Sequence, residues 1–94
     1  MAVSFKMGGL FMTAGVSQLV GESPDFQKFV SESLDRHARG DWGDLCDEHK
    51  HENELSLREG FRLLSAYKAK DLPRIWIITE ADRSATTILF PDEY

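Results

Sequence analysis

Cys46, His49 and His51 stand within one short stretch, with Asp44 and Asp47 beside them. Thiolate, imidazole and carboxylate together are the donor set of zinc sites, so metal binding is the first chemistry this stretch suggests. The spacing works against it. On a helix turning ~100° per residue, Cys46 and His49 face the same way, whereas His51 points about 140° from Cys46 and about 160° from His49. The competing reading is a set of exposed polar residues on an acidic helix, and no metal is assigned.

A second group lies at Thr79–Ser84, where Glu80, Asp82 and Arg83 bring two acids and a guanidinium into one turn. Such a group can serve as an acid–base pair or clamp a phosphate. A hairpin turn needs the same residue types for itself, with Asp82 capping the turn backbone and Glu80 pairing with Arg83 or another cation. His37 closes the last turn of a helix, where a cation suits the negative end of the dipole. Ser65, His37 and Asp82 supply the types of a nucleophile, base and orienter, but nothing in the sequence brings them together. There is no Gly-rich phosphate loop, nucleophile elbow or cysteine pair, and no cofactor is called for. The sequence leans away from catalysis.

The elements that must position these residues follow from local signals. Met7–Thr13 reads as a glycine turn leading into a short apolar strand, or as an approach to the first helix. Thr13 caps a short helix through Gln18 to Val20, and Gly21 stops it. Ser23 before Pro24 marks a stronger helix start, with Phe26, Phe29, Val30, Leu34 and Ala38 on its inner face and Gly40 as its end. Asp41–Leu45 is a tight connection in which Trp42 plugs the core. A third helix spans Asp47 to Glu59, its buried positions Leu45, Leu55, Leu57 and Cys46, and Gly60 ends it. Beyond Gly60 the period changes to two: Phe61–Tyr67, Arg74–Glu80 and Ala85–Phe90 are strands, joined by turns at Ala69–Pro73 and Ala81–Ser84.

The fold class expected is therefore α+β: a three-stranded antiparallel meander, with or without a short N-terminal strand, covered by two to three helices. Residues 1–94 are read as a single domain, helical from about 14 to 59 and a β-meander from about 61 to 90. With 41% hydrophobic and 29% charged residues, the composition is that of a folding chain rather than a disordered one. Ninety-four residues close one core with a thin margin, which makes self-association a live expectation. The apolar run Gly8–Ala14 is far short of the ~20 residues of a membrane span and lacks the form of a signal peptide. The lone Cys46 fits a reducing compartment, so a cytoplasmic location is expected.

Charge is the most uneven property of the chain. Between Asp41 and Glu54 six acids (Asp41, Asp44, Asp47, Glu48, Glu52, Glu54) face Lys50 alone, so this segment holds the whole formal net charge of −5. No basic stripe is present to grip a phosphate backbone, which argues against direct nucleic-acid binding. The partner such a face suits is a protein with a basic surface.

GDWGDL (Gly40–Leu45), SAY (Ser65–Tyr67), IWIITEADRSATT (Ile75–Thr87) and ILFPDEY (Ile88–Tyr94) resemble a family of short bacterial proteins often labelled plasmid-related. The likeness covers roughly residues 40–94 and carries no catalytic residues with it. It implies a setting in mobile elements, where small proteins modulate host defence or element maintenance. Joined to the acidic face, it gives the leading expectation: a non-enzymatic interaction protein that inhibits a host defence nuclease complex, as an anti-restriction or anti-CRISPR factor. The rivals are a small hydrolase or metal-dependent enzyme using the Glu80-Asp82-Arg83 turn or the Cys46-His49 pair, and a homodimeric module joined through an edge strand or around Phe11.

Overall fold

The computed structural model describes residues 5–94. In chain order the elements are strand β1 (Gly9–Met12), helices α1 (Ala14–Glu22), α2 (Pro24–Ala38) and α3 (Asp47–Glu59), strands β2 (Leu63–Tyr67), β3 (Ile75–Thr79) and β4 (Ala85–Leu89), and a 3-10 turn at Pro91–Glu93. The class is α+β. The sheet, however, is four-stranded and mixed, in the order β1-β4-β3-β2. The three C-terminal strands form the expected antiparallel meander. β1 adds to it in parallel beside β4, with Gly9 opposite Ala85 and Met12 opposite Ile88. A meander alone was too small a description, because a parallel partner so distant in the chain leaves no turn signal in the sequence.

The entry to β1 is tight. Gly8 has φ 65°, and a Cβ there would run into the carbonyl of Ser84, so only glycine lets the chain cross the β3–β4 turn at this distance.

Helix ends obey local chemistry. The Thr13 hydroxyl accepts from Val16 N at 3.4 Å and the Ser23 hydroxyl from Phe26 N at 3.1 Å. α1 runs past Gly21 to Glu22, because Gly21 is not in the left-handed conformation of a helix stop, and Ser23 ends the helix instead. α2 and α3 have the expected limits, but their inner faces differ from expectation. On α2 the buried set is Phe26, Phe29, Val30, Ser33 and His37, with Leu34 and Ala38 only half-buried. On α3 it is Asn53 and Ser56, while Leu55 is 41% exposed, Leu57 half-buried and Cys46 exposed.

The reason on α3 is an anchor of polar atoms rather than apolar contact. The Asn53 amide donates from Nδ2 to the Leu64 carbonyl at 2.6 Å and accepts at Oδ1 from Leu64 N at 3.2 Å, so it pairs with β2 as a neighbouring strand would. One residue pair further along the same edge, Ala66 N donates to Trp42 O at 3.3 Å and Asp44 N donates to Ala66 O at 2.7 Å. Gly43, at φ 74°, allows this approach, since a Cβ there would strike the Ala66 carbonyl and the Tyr67 ring. The outer edge of β2 is thereby closed by α3 and the loop before it.

The core lies between the sheet and the α1–α2 pair. Val16, Phe26, Phe29, Val30, Tyr67, Ile75, Ile77 and Ile88 form one buried cluster. Trp42 is buried as expected, at 5.7 Å between ring centroids from His37.

Candidate interaction surface

The six acids of the Asp41–Glu54 segment divide into two groups. Asp41 is committed to the fold: Arg36 donates to it through Nε at 2.8 Å and Nη2 at 3.2 Å, and Gly43 N donates to its Oδ1 at 3.1 Å. The Arg36 guanidinium, and to a lesser degree the Gly43 amide, hold the Asp41 carboxyl below the usual carboxylate range. The same guanidinium sits 4.9 Å from the centre of the Tyr67 ring, and the Tyr67 hydroxyl donates to the Asp41 carbonyl at 2.6 Å. Glu54 is likewise engaged, accepting from the buried Trp42 indole N–H at 2.7 Å.

Asp44, Asp47, Glu48 and Glu52 form the other group. All four are exposed, and none makes a side-chain hydrogen bond or ion pair among the described residues, where the one salt bridge is Arg36–Asp41. Asp47 and Glu48 sit in the first turn of α3, where negative charge suits the helix dipole. Asp44 and Glu52 flank a groove of about 590 Å³ between α3 and the sheet, floored by Leu64, Ala66 and Trp76, with Arg74 on its rim. The groove offers an aromatic surface and two carboxylates to one guanidinium, a setting suited to a cationic side chain.

Cys46, the extended N-cap residue of α3, and His49 line this same groove, while His51 does not. Among the described residues no three His, Cys, Asp or Glu side chains converge on a point where a metal could sit.

The Glu80–Arg83 turn is built as a staple. Asp82 Oδ1 accepts from Ser84 N at 3.0 Å, the expected cap, and its hydrogen bonds to Ser84 lower its pKa. Arg83, at φ 61°, does not pair with the Glu80 carboxylate. Its Nη1 donates to the carbonyls of Phe61 at 2.7 Å, Glu80 at 3.1 Å and Ala81 at 3.2 Å, and its Nη2 to that of Ser56 at 3.1 Å. The guanidinium therefore ties the end of α3 to the β3–β4 turn through four backbone carbonyls.

His37 overturns its reading as a helix-end cation. It is fully buried, as are Ser65, Thr79 and Thr86. Nδ1 bonds the Ser65 hydroxyl, Nε2 lies 2.8 Å from Thr79 Oγ1, Thr79 Oγ1 lies 2.8 Å from Thr86 Oγ1, and the Thr86 hydroxyl donates to the Met7 carbonyl at 2.8 Å. A carbonyl can only accept, and this sets the direction of the whole chain. Thr86 gives its proton to Met7, Thr79 gives its proton to Thr86, His37 donates from Nε2–H to Thr79, and Ser65 donates to Nδ1. Burial, reinforced by the positive charge of Arg83, lowers the His37 pKa to about 4, so the ring is neutral at pH 7. Ser65 and His37 thus do meet, but both are fully buried, and Asp82 is away on its exposed turn. The arrangement joins α2 to three strands through polar atoms that are fully buried.

No helix among the described residues is long and apolar enough to cross a membrane. Comparison with models of protein families, with curated proteins and with solved structures finds no match for this chain.

Proposed function

We propose that this chain is a non-enzymatic interaction protein whose Asp44, Asp47, Glu48 and Glu52 face docks on a basic protein surface. One observation carries the reading: these four carboxylates have no partner among the described residues, whereas Asp41 and Glu54 beside them are tied into the fold. Carboxylates held at full hydration on a rigid element steer and orient a basic partner at little desolvation cost. The groove between Asp44 and Glu52 gives such a partner a place to seat one Arg or Lys over Trp76. A host defence nuclease complex is the partner proposed first, because its nucleic-acid channel is basic and the plasmid-related resemblance supplies the setting.

The arrangement of the other candidates favours this reading over an enzyme. Arg83 is occupied by four carbonyls, and the His37–Ser65 pair is sealed. The test is affinity capture from host lysate at low and high salt, run in parallel with the variant D44K/D47K/E48K/E52K. A nuclease subunit retained by the parent at low salt, released at high salt and absent from the folded variant is the expected result. The same partners retained by both proteins would remove the acidic face from the account.

A further inference from the structure

The two edges of the sheet are treated in opposite ways. On β2 the outward backbone groups of Leu64 and Ala66 are all paired, to Asn53, Trp42 and Asp44. On β1, Gly9 N donates to Ser84 O at 3.0 Å and Thr13 N to Ile88 O at 3.1 Å. The strand's period of two therefore turns the N–H and C=O groups of Leu10 and Met12 outward. Among the described residues nothing bonds them. Natural edges are blunted by a charge, a proline or a bulge, and Gly9–Met12 contains none. Its side chains are instead apolar and open: Leu10 is 54%, Phe11 56% and Met12 44% exposed. Beside the strand runs a groove of about 290 Å³, whose wall of Val20, Val30 and Leu34 comes from α1 and α2.

We propose that β1 pairs with β1 of a second copy of this chain, antiparallel about a two-fold axis at Phe11, to form a continuous eight-stranded sheet. The outward groups fix this register. Leu10 lies opposite Met12 of the second copy and exchanges both hydrogen bonds with it. The symmetric pair does the same, giving four bonds in all. Phe11 then faces its own counterpart at a non-hydrogen-bonded position, where side chains approach most closely and aromatic pairs contribute most. The groove beside β1 receives apolar side chains from the other copy, a self-complementary contact of the kind a two-fold axis requires.

Charge argues for a second copy as the occupant. Each chain carries −5, held by α3 and the loop before it, and α3 lies against β2 at the far margin of the sheet. Across eight strands the two β2 edges are seven spacings apart, roughly 34 Å, several times the Debye length of about 8 Å at physiological salt. Two copies thus meet at uncharged edges with their acidic faces apart. The inference is independent of whether those faces bind a partner.

Sedimentation of the whole protein gives the first readout: twice the 10.7 kDa chain mass is expected. Phe11→Lys, which places two cations on the axis, yields the monomer, while Phe61→Lys, at a residue 55% exposed and remote from β1, leaves the dimer. The register has its own readout in a Cys46→Ser background. Phe11→Cys forms a disulfide-linked dimer under mild oxidation, because a non-hydrogen-bonded pair sits about 4.5 Å apart at Cα. Leu10→Cys does not, because two copies of residue 10 are on the order of 8 Å apart, beyond disulfide reach. A parent protein that sediments as a monomer at its highest soluble concentration overturns the proposal. So does a dimer that crosslinks through residue 10 as readily as through residue 11.

Discussion

His37 illustrates how one buried polar residue is tolerated. Every ring nitrogen and hydroxyl in the Ser65–His37–Thr79–Thr86 chain has a partner, and no buried side-chain nitrogen or oxygen among the described residues lacks one. The site favours the neutral ring, because an imidazolium would be a cation buried away from water and would force Ser65 to turn its hydroxyl and accept from Nδ1. With a pKa of about 4 folded against about 6.5 unfolded, the unfolded chain binds more protons between those values. Stability is therefore fully present above pH 6.5 and declines as pH falls to 4, by about 3 kcal/mol in all. Urea midpoints measured from pH 7.5 to 4 should show this decline, and His37→Gln should lack it. The Asp41–Arg36 pair acts in a separate window, because the depressed Asp41 pKa delays its loss to more acid conditions. A parent midpoint that stays level between pH 6.5 and 4 would contradict a buried neutral His37.

At the scale of elements, α3 is anchored by polar contacts: Asn53 on Leu64, Glu54 on Trp42, and Arg83 on Ser56. Arg83→Lys keeps the charge but cannot span four carbonyls with one ammonium. The amides of Gly60 and Phe61, which donate to Ser56 O at 2.9 and 3.1 Å, should then exchange about tenfold faster, the equivalent of one charged hydrogen bond. Protection in β3 and β4 should stay as it was; an equal loss across the sheet would mean that Arg83 stabilises the whole fold rather than the end of α3. The limits of α2 and α3 were legible in the sequence because caps such as Ser23-Pro24 and Gly60 act locally. Which face of α3 turns inward was not, since Asn53 seeks a strand edge whose position only the tertiary fold sets. The pairing of β1 was hidden for the same reason. His37 did leave a signal: Phe26, Val30, Ser33 and His37 continue one helical stripe, so the period placed Ser33 and His37 inward although their polarity suggested otherwise.

For the molecule as a whole, the question is what a chain with all its net charge at one margin gains from it. The acidic segment was plain in the composition, but its division was not, because it depends on where Arg36 and Trp42 come to lie. If Asp44, Asp47, Glu48 and Glu52 serve only a partner, removing their charge should leave the isolated protein almost as stable as before. Two of them favour the N-terminus of α3, by about 0.3–1 kcal/mol each, and relief of their mutual repulsion offsets part of that loss. D44N/D47N/E48Q/E52Q should therefore unfold within about 1 kcal/mol of the parent. D41A/E54A carries half as many substitutions but should lose more, because it leaves Arg36 without its carboxylate and the buried Trp42 indole N–H without an acceptor, a defect worth about 1–3 kcal/mol. Denaturant titrations of the three proteins at one pH and salt decide the matter. A fourfold-neutral variant that loses as much as D41A/E54A would show that the whole acidic segment holds the fold together, and the case for a face reserved for a partner would go with it.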